Sequence, residues 1–140
     1  MTEAEGGCLC GAVRFRIGLP SLWVAHCHCS MCRRAHGAAF VTWISVRVAG
    51  LTLREGGNEA LRWHASSPGA ERGFCAHCGS PMLFRSDRWA DQVHVAAASL
   101  DAGPDRPPQL HAFWDTHVPW TSADPGLPTR TEADILASRG

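Results

Sequence analysis

The sequence predicts a mainly β protein. Short runs alternating apolar and polar residues recur at regular spacing along the 140 residues, bounded by glycine- and proline-containing turn signals. Helical periodicity is almost absent. The seven cysteines stand in three clusters between these runs, at positions 8 and 10, then 27, 29 and 32, then 75 and 78.

Residues 1–7 are polar, end on glycine, and read as a mobile tail. Residues 13–17 (Val-Arg-Phe-Arg-Ile) alternate with period two, a half-buried strand with its arginines facing water. Residues 18–21 turn the chain, and residues 22–26 form a second strand that delivers the central cysteines. Residues 33–37 suggest a single helical turn or loop. Residues 40–46 and 51–54 read as strands, with a tight turn at Gly56-Gly57. Another strand is expected at 61–65, then a loop at 66–69. Arg72-Gly73-Phe74 leads into the last cysteine pair, and Pro81 argues against a central ladder position there, because proline has no N–H to donate. Residues 82–85 and 93–97 read as strands around a polar turn, residues 103–108 as a proline-rich loop, and residues 111–114 as a last short strand. From Thr121 onward prolines and acids indicate an irregular tail, with a short helix at Glu132–Ser138. The reading is one domain over residues 1–140, ordered from about 7 to 120.

Formal net charge is zero, from 13 arginines and 13 acids, and lysine is absent. That balance lacks the basic footprint of a nucleic-acid binder. No apolar run reaches membrane-spanning length. Residues 1–7 carry no apolar secretory core, so a reducing cytoplasmic location is expected.

Redox compartment decides how to read the cysteines. Disulfides need oxidising surroundings, and an odd count leaves one thiol over. Metal ligation fits better. In Cys27-His28-Cys29-Ser30-Met31-Cys32, extended chain places Cys27 and Cys29 on one face and His26 and His28 on the other. A turn through Ser30 and Met31 returns Cys32 to its partners. Three thiolates can hold zinc and leave its fourth position open, as reactive sites do. The pairs Cys8/Cys10 and Cys75/Cys78 make a closed four-sulfur site of the structural kind. The rival division joins Cys75 and Cys78 to two of the triad and strands Cys8 and Cys10. Two zinc ions per chain are expected, or one if the open site is labile.

Other residues near these motifs are candidates. Arg33 and Arg34 follow Cys32 directly and suit bidentate pairing with a substrate carboxylate. The alternative is a solvated pair on a turn. His36, four residues past Cys32, reaches the metal only if the segment is helical; otherwise it is polar surface. His28 is expected to point away and tune the site through hydrogen bonds, and His77 to be exposed. Trp23, Trp43 and Trp63 read as core, whereas Trp120 is the tryptophan best placed for a pocket wall.

The motifs Gly7-x-x-Cys10-Gly11-x-Val13, Cys27-His28-Cys29-x-x-Cys32-Arg33, Phe74-Cys75-x-x-Cys78-Gly79-Ser80, and His111 through Pro119-Trp120 come in an order that resembles the glutathione-dependent formaldehyde-activating (GFA) family and its CENP-V relatives. The resemblance covers about residues 7–120. It implies a small zinc-containing, β-sandwich-like domain similar to methionine sulfoxide reductase B. It also implies a structural zinc on Cys8, Cys10, Cys75 and Cys78 and a second zinc on Cys27, Cys29 and Cys32. The implied reaction is of the carbon–sulfur lyase type, joining glutathione and formaldehyde as S-hydroxymethylglutathione. Thiol activation supplies little of it, since an ordinary thiol is already about 3 % ionised at neutral pH and full ionisation gains roughly 2 kcal/mol. One alternative is a non-catalytic zinc-stabilised binding module, although that role favours a basic extension. A reductase acting on methionine sulfoxide needs a metal-free cysteine late in the chain, and none follows Cys78.

Overall fold

A computed structural model describes residues 2–55 and 57–138. In chain order the elements are β1 (Glu3–Gly7), β2 (Arg14–Gly18), β3 (Trp23–Cys27), α1 (Ser30–His36), β4 (Val41–Arg47), β5 (Thr52–Leu53), α2 (Gly57–Ala60), β6 (Leu61–Ser67), β7 (Ala70–Cys75), β8 (Pro81–Ser86), β9 (Gln92–Ala96), β10 (His111–Ala112), β11 (Thr129–Arg130) and α3 (Glu132–Ser138). The fold is mainly β. A small sheet runs β1-β2-β5, and a large one runs β11-β10-β3-β4-β9-β8-β7-β6. Pairing is antiparallel except where β10 lies parallel to β3 and to β11.

Period-two alternation gives the large sheet two different faces. On one, Val24, Ile44, Val95 and Leu83 stand side by side across β3, β4, β9 and β8, all buried. Phe15 and Ile17 of the small sheet, and Val13 just before it, belong to the same apolar cluster. Each such side chain contributes about 1.5–3 kcal/mol by leaving water, so this layer is the main source of stability. The arginines of β2 point outward as expected, and Arg16 pairs with Glu3 and Glu5.

The other face carries a row of polar and aromatic side chains: Trp23, Ser45, His94, Phe84, Arg72 and His64. The His94 ring is enclosed by Trp23 at 4.6 Å, Trp89 at 5.2 Å and Phe84 at 5.6 Å between centroids. Burial pushes its pKa down to about 3, so it is neutral at pH 7. Trp43 lies one position along from this row and is fully buried.

Several expectations need correction. Residues 3–7 are not a mobile tail but β1, an edge strand whose polar side chains face water while its backbone pairs with β2. Composition does not reveal this, because edge pairing needs no apolar alternation. Residues 33–36 belong to a seven-residue helix, α1, that begins inside the cysteine cluster and is capped by Gly37. Its signal was hidden because the capping residue is Cys29 rather than serine, threonine or an acid. Pro81 does enter a central strand, but as its first residue, at a register shift where Phe74 faces Pro81. The chain beyond Thr121 is not wholly irregular: β11 joins the large sheet, and α3 spans the expected residues. Only Trp43 among the three strand tryptophans is fully buried; Trp23 and Trp63 are half-buried, and Trp63 carries the Arg85 guanidinium 3.8 Å above its ring. The turn expected at Gly56-Gly57 falls partly on Gly56, outside the described residues, and Gly57 opens α2.

A Cβ at Gly6 would stand 2.5 Å from the Ser99 carbonyl oxygen and 2.9 Å from the Phe15 ring. Gly6→Ala is therefore expected to destabilise the protein by about 1–3 kcal/mol in urea unfolding. An unchanged midpoint would mean that β1 is not docked. His94 makes a second prediction. Between about pH 3 and its ordinary value of 6.5, the unfolded chain binds a proton there that the folded chain refuses. Its contribution is thus complete above pH 6.5 and is lost as the pH falls, at up to about 1.4 kcal/mol per pH unit. Unfolding measured from pH 7 to 4 should show a shallower loss for His94→Gln than for the parent chain, and equal slopes would contradict a buried neutral His94.

Candidate metal centres

Two tight turns bring the outer cysteines together. Cys8 and Cys10 lie in the connection from β1 to β2, where the Gly11 N–H donates to the Cys8 carbonyl at 3.2 Å. Cys75 ends β7, and Cys78 lies in the turn to β8, where the Gly79 N–H donates to the Cys75 carbonyl at 2.8 Å. Gly11 and Gly79 have φ of 82° and 79°, a left-handed backbone that glycine adopts without steric cost. The four sulfurs lie within 4.8 Å of one another. Cys10 Sγ is 3.7 Å from Cys8 Sγ and 3.8 Å from Cys75 Sγ. A tetrahedral zinc with sulfurs at 2.3 Å requires edges of about 3.8 Å, so the spacing fits such an ion. The backbone also supplies donors to sulfur: the Val13 N–H reaches Cys8 Sγ at 3.2 Å, and the His77 N–H reaches Cys75 Sγ at 3.4 Å. Ser80 links the two turns, with its hydroxyl accepting from the Leu9 N–H at 3.0 Å and lying 3.2 Å from Cys78 Sγ. That hydroxyl is the main reason the Cys78 thiol is pushed down to about 5.

The central cysteines form a second cluster, also within 4.8 Å. Cys27 ends β3, Cys29 caps α1, and Cys32 lies in the helix's first turn. The Cys32 N–H donates to Cys29 Sγ at 3.3 Å, so the sulfur satisfies a donor that the helix start leaves free. Cys27 and Cys32 are buried, with sulfurs 3.5 Å apart, and Cys29 is half-buried. The three thiols are strongly linked. Hydrogen bonds from Cys27 and Cys32 hold Cys29 far below the ordinary thiol range, and the same contacts push Cys27 well above it. Without a cation the cluster thus favours one shared negative charge; a divalent ion would offset two of the three charges of a full set of thiolates.

His26 and His28 project to the opposite side, as the alternation implied. His26 Nδ1 lies 2.8 Å from Thr42 Oγ1, and Nε2 lies 2.7 Å from Asp124 Oδ2. His111 Nε2 donates to the Asp124 carbonyl at 3.0 Å. His111 Nδ1 lies 2.8 Å from His28 Nε2, so the two rings share a hydrogen bond. His28 is neutral at pH 7, pushed down to about 4 by burial. This network fixes the back of β3 directly behind the cysteines.

The remaining candidates are less drawn together. Arg33 is half-buried, with its Nε shielded from water and unpartnered, while Arg34 is exposed. His36 packs edge-on against Trp43 and is pushed down to about 4 by burial. Among the described residues, the central metal-type cluster contains the three cysteines and no histidine. His77 is exposed as expected. Trp120 is 73 % exposed. Arg72 was missed: both its Nη atoms lie 3.7 Å from Cys32 Sγ, although 40 residues separate the two in sequence. The sequence signals no strand over residues 70–75, so nothing there gave the Arg72 side chain a direction.

Comparison with known proteins agrees with the motif order. A Halomonas elongata protein provisionally named a glutathione-dependent formaldehyde-activating enzyme is 33 % identical over 128 residues, covering 86 % of this chain and 80 % of its own. An uncharacterized lyase of Schizosaccharomyces pombe is 32 % identical over 84 residues, covering 60 % of this chain and 58 % of its own. A crystal structure of a Rhodobacter sphaeroides protein superposes with a TM-score of 0.60 at 27 % identity, covering 73 % of this chain and 92 % of that one. The model of the family described as glutathione-dependent formaldehyde-activating enzyme matches residues 3–116, a span containing all seven cysteines, and the chain belongs to that family.

Proposed function

We propose that the protein is a zinc-dependent enzyme of the carbon–sulfur lyase type that acts on a small thiol or its aldehyde adduct. Cys8, Cys10, Cys75 and Cys78 would hold a structural zinc, and Cys27, Cys29 and Cys32 a second, open one. The observation that carries this reading is the difference between the two clusters: one presents four converging sulfurs, the other three. A site with three protein ligands has a place for substrate. The family and the names of the two relatives support lyase-type chemistry, with glutathione and formaldehyde as the first substrates to test.

The reaction balances without redox change. The thiol sulfur bonds to the aldehyde carbon, the carbonyl π bond breaks, and the thiol proton ends on oxygen. Zinc at the triad would supply Lewis acidity and a site for the sulfur as thiolate. The chain's own residues do the positioning. The α1 cap fixes Cys29 against the Cys32 N–H, and the histidine network fixes the end of β3. Trp43, Phe84 and Phe113 pack around the cysteines and limit water there. Holding two reactants together in such a site accounts for more of the rate than thiol ionisation does.

Protein isolated under reducing conditions is expected to contain close to two zinc ions per chain, or one if the triad ion is labile, with all seven thiols free of disulfides by intact mass. Serine replacements separate the sites. Cys8→Ser, Cys10→Ser, Cys75→Ser and Cys78→Ser should unfold or badly destabilise the chain, because structural zinc supplies apparent folding free energy of ~10–16 kcal/mol in zinc-finger peptides. Cys27→Ser, Cys29→Ser and Cys32→Ser should stay folded, keep one zinc, and lose thiol binding. Zinc stoichiometry and melting temperature decide, and the reversed pattern would show the sites assigned backwards. In cobalt-substituted protein, glutathione should perturb the metal's visible spectrum; if no thiol does so, the enzyme reading is overturned.

A further inference from the structure

The Arg72 guanidinium is placed by the sheet. β7 pairs with β6 on one side and β8 on the other, so Arg72 is anchored between His64 and Phe84. The side chain leaves the sheet on the polar-aromatic face and lies over the Phe84 ring, 4.9 Å from its centroid. Its two Nη atoms approach Cys32 Sγ equally, at 3.7 Å. Its Nε is shielded from water and has no hydrogen-bond partner. Among the described residues, the Cys32 sulfur is the only acceptor its guanidinium finds. A neutral thiol is a poor acceptor for a half-buried cation, whereas a thiolate is a good one. The contact therefore makes physical sense when Cys32 carries negative charge.

Charge strengthens the argument. Three thiolates around a divalent ion leave one net negative charge. A substrate arriving as thiolate adds a second, and a carboxylate on that substrate a third. Arg72 offsets one of these at contact distance. His36, packed edge-on against Trp43, is neutral at pH 7 and offsets none.

We propose that Arg72 is a positioning residue for the triad: it holds the Cys32 sulfur through its paired Nη groups, and its charge lets the open site accept anionic thiols. This rests on the reading of the triad as a metal site. The substrate class it implies is thiols carrying carboxylate groups.

The test uses cobalt-substituted holoprotein and two thiols of opposite charge, mercaptoacetate and cysteamine, with binding read from the cobalt spectrum. Arg72→Met keeps the stem against Phe84 and removes the charge; Arg72→Lys keeps the charge and removes the fork. Arg72→Met is expected to weaken mercaptoacetate binding about tenfold or more while changing cysteamine binding much less, with the Cys8/Cys10/Cys75/Cys78 metal retained. Arg72→Lys should preserve the preference between the two thiols yet lose triad cobalt to a chelator faster than the parent protein. A merely structural role predicts that both thiols weaken equally, and that result overturns the proposal, as does unchanged binding of both. If Arg72→Met does not fold, Arg72→Lys decides: an unchanged preference with faster cobalt loss supports the proposal, and parent-like cobalt retention overturns it. A parent protein that binds neither thiol defeats this proposal and the enzyme reading together. A parent that binds both, with an Arg72→Met variant that keeps the parent's preference, defeats this proposal alone.

Discussion

The convergence of Cys8 and Cys10 with Cys75 and Cys78 is the constraint on which the rest of the arrangement depends. The two pairs come from different sheets and lie 65 residues apart at their nearest sulfur contact. Bringing such distant turns together costs loop-closure entropy that a small core recovers with difficulty. The left-handed turns at Gly11 and Gly79, the N–H groups aimed at sulfur and the Ser80 bridge all serve that one junction. The same junction fixes the end of β7, and Arg72 sits three residues before Cys75 on that strand. The closed cluster and the open one are therefore connected through a single stretch of backbone.

The large sheet separates the tasks of its two faces. One face is apolar and packs against the small sheet, and it supplies stability. The other carries His94, Phe84, Arg72 and the tryptophans, with α1 and its cysteines above them. Polar residues are costly to bury, so their presence along this face marks where the fold gives up stability for chemistry. Behind β3, His26, His28 and His111 form a hydrogen-bonded network that ends on Asp124. Asp124 lies beyond residue 116, where the family match stops, so the chain's own C-terminal segment completes the support behind the triad.

Much of this was legible in the sequence, and for physical reasons. Strand alternation is a local property, so most strands were found within a residue or two. The three local cysteine clusters were readable because short spacings bring thiols together without tertiary information. That Cys8 and Cys10 meet Cys75 and Cys78 is a long-range contact, inferred by dividing seven thiols between two sites. What was missed depends on long-range placement. β1 carries no apolar signal, since an edge strand is held by its backbone. α1 is too short for periodicity, and a cysteine caps it. Arg72 reaches Cys32 only because β7 and α1 meet across the sheet, and no spacing rule encodes that. Trp120, suggested by its motif position, stands largely exposed on the folded chain.

The most direct test of the four-plus-three division is a crystal structure of freshly purified, reduced protein with anomalous data collected on both sides of the zinc absorption edge. Two zinc peaks are predicted, one enclosed by the sulfurs of Cys8, Cys10, Cys75 and Cys78 and one bound to Cys27, Cys29 and Cys32 with a non-protein group as fourth ligand. A single zinc shared between Cys75, Cys78 and the central cysteines, or disulfides in place of either cluster, would contradict the account.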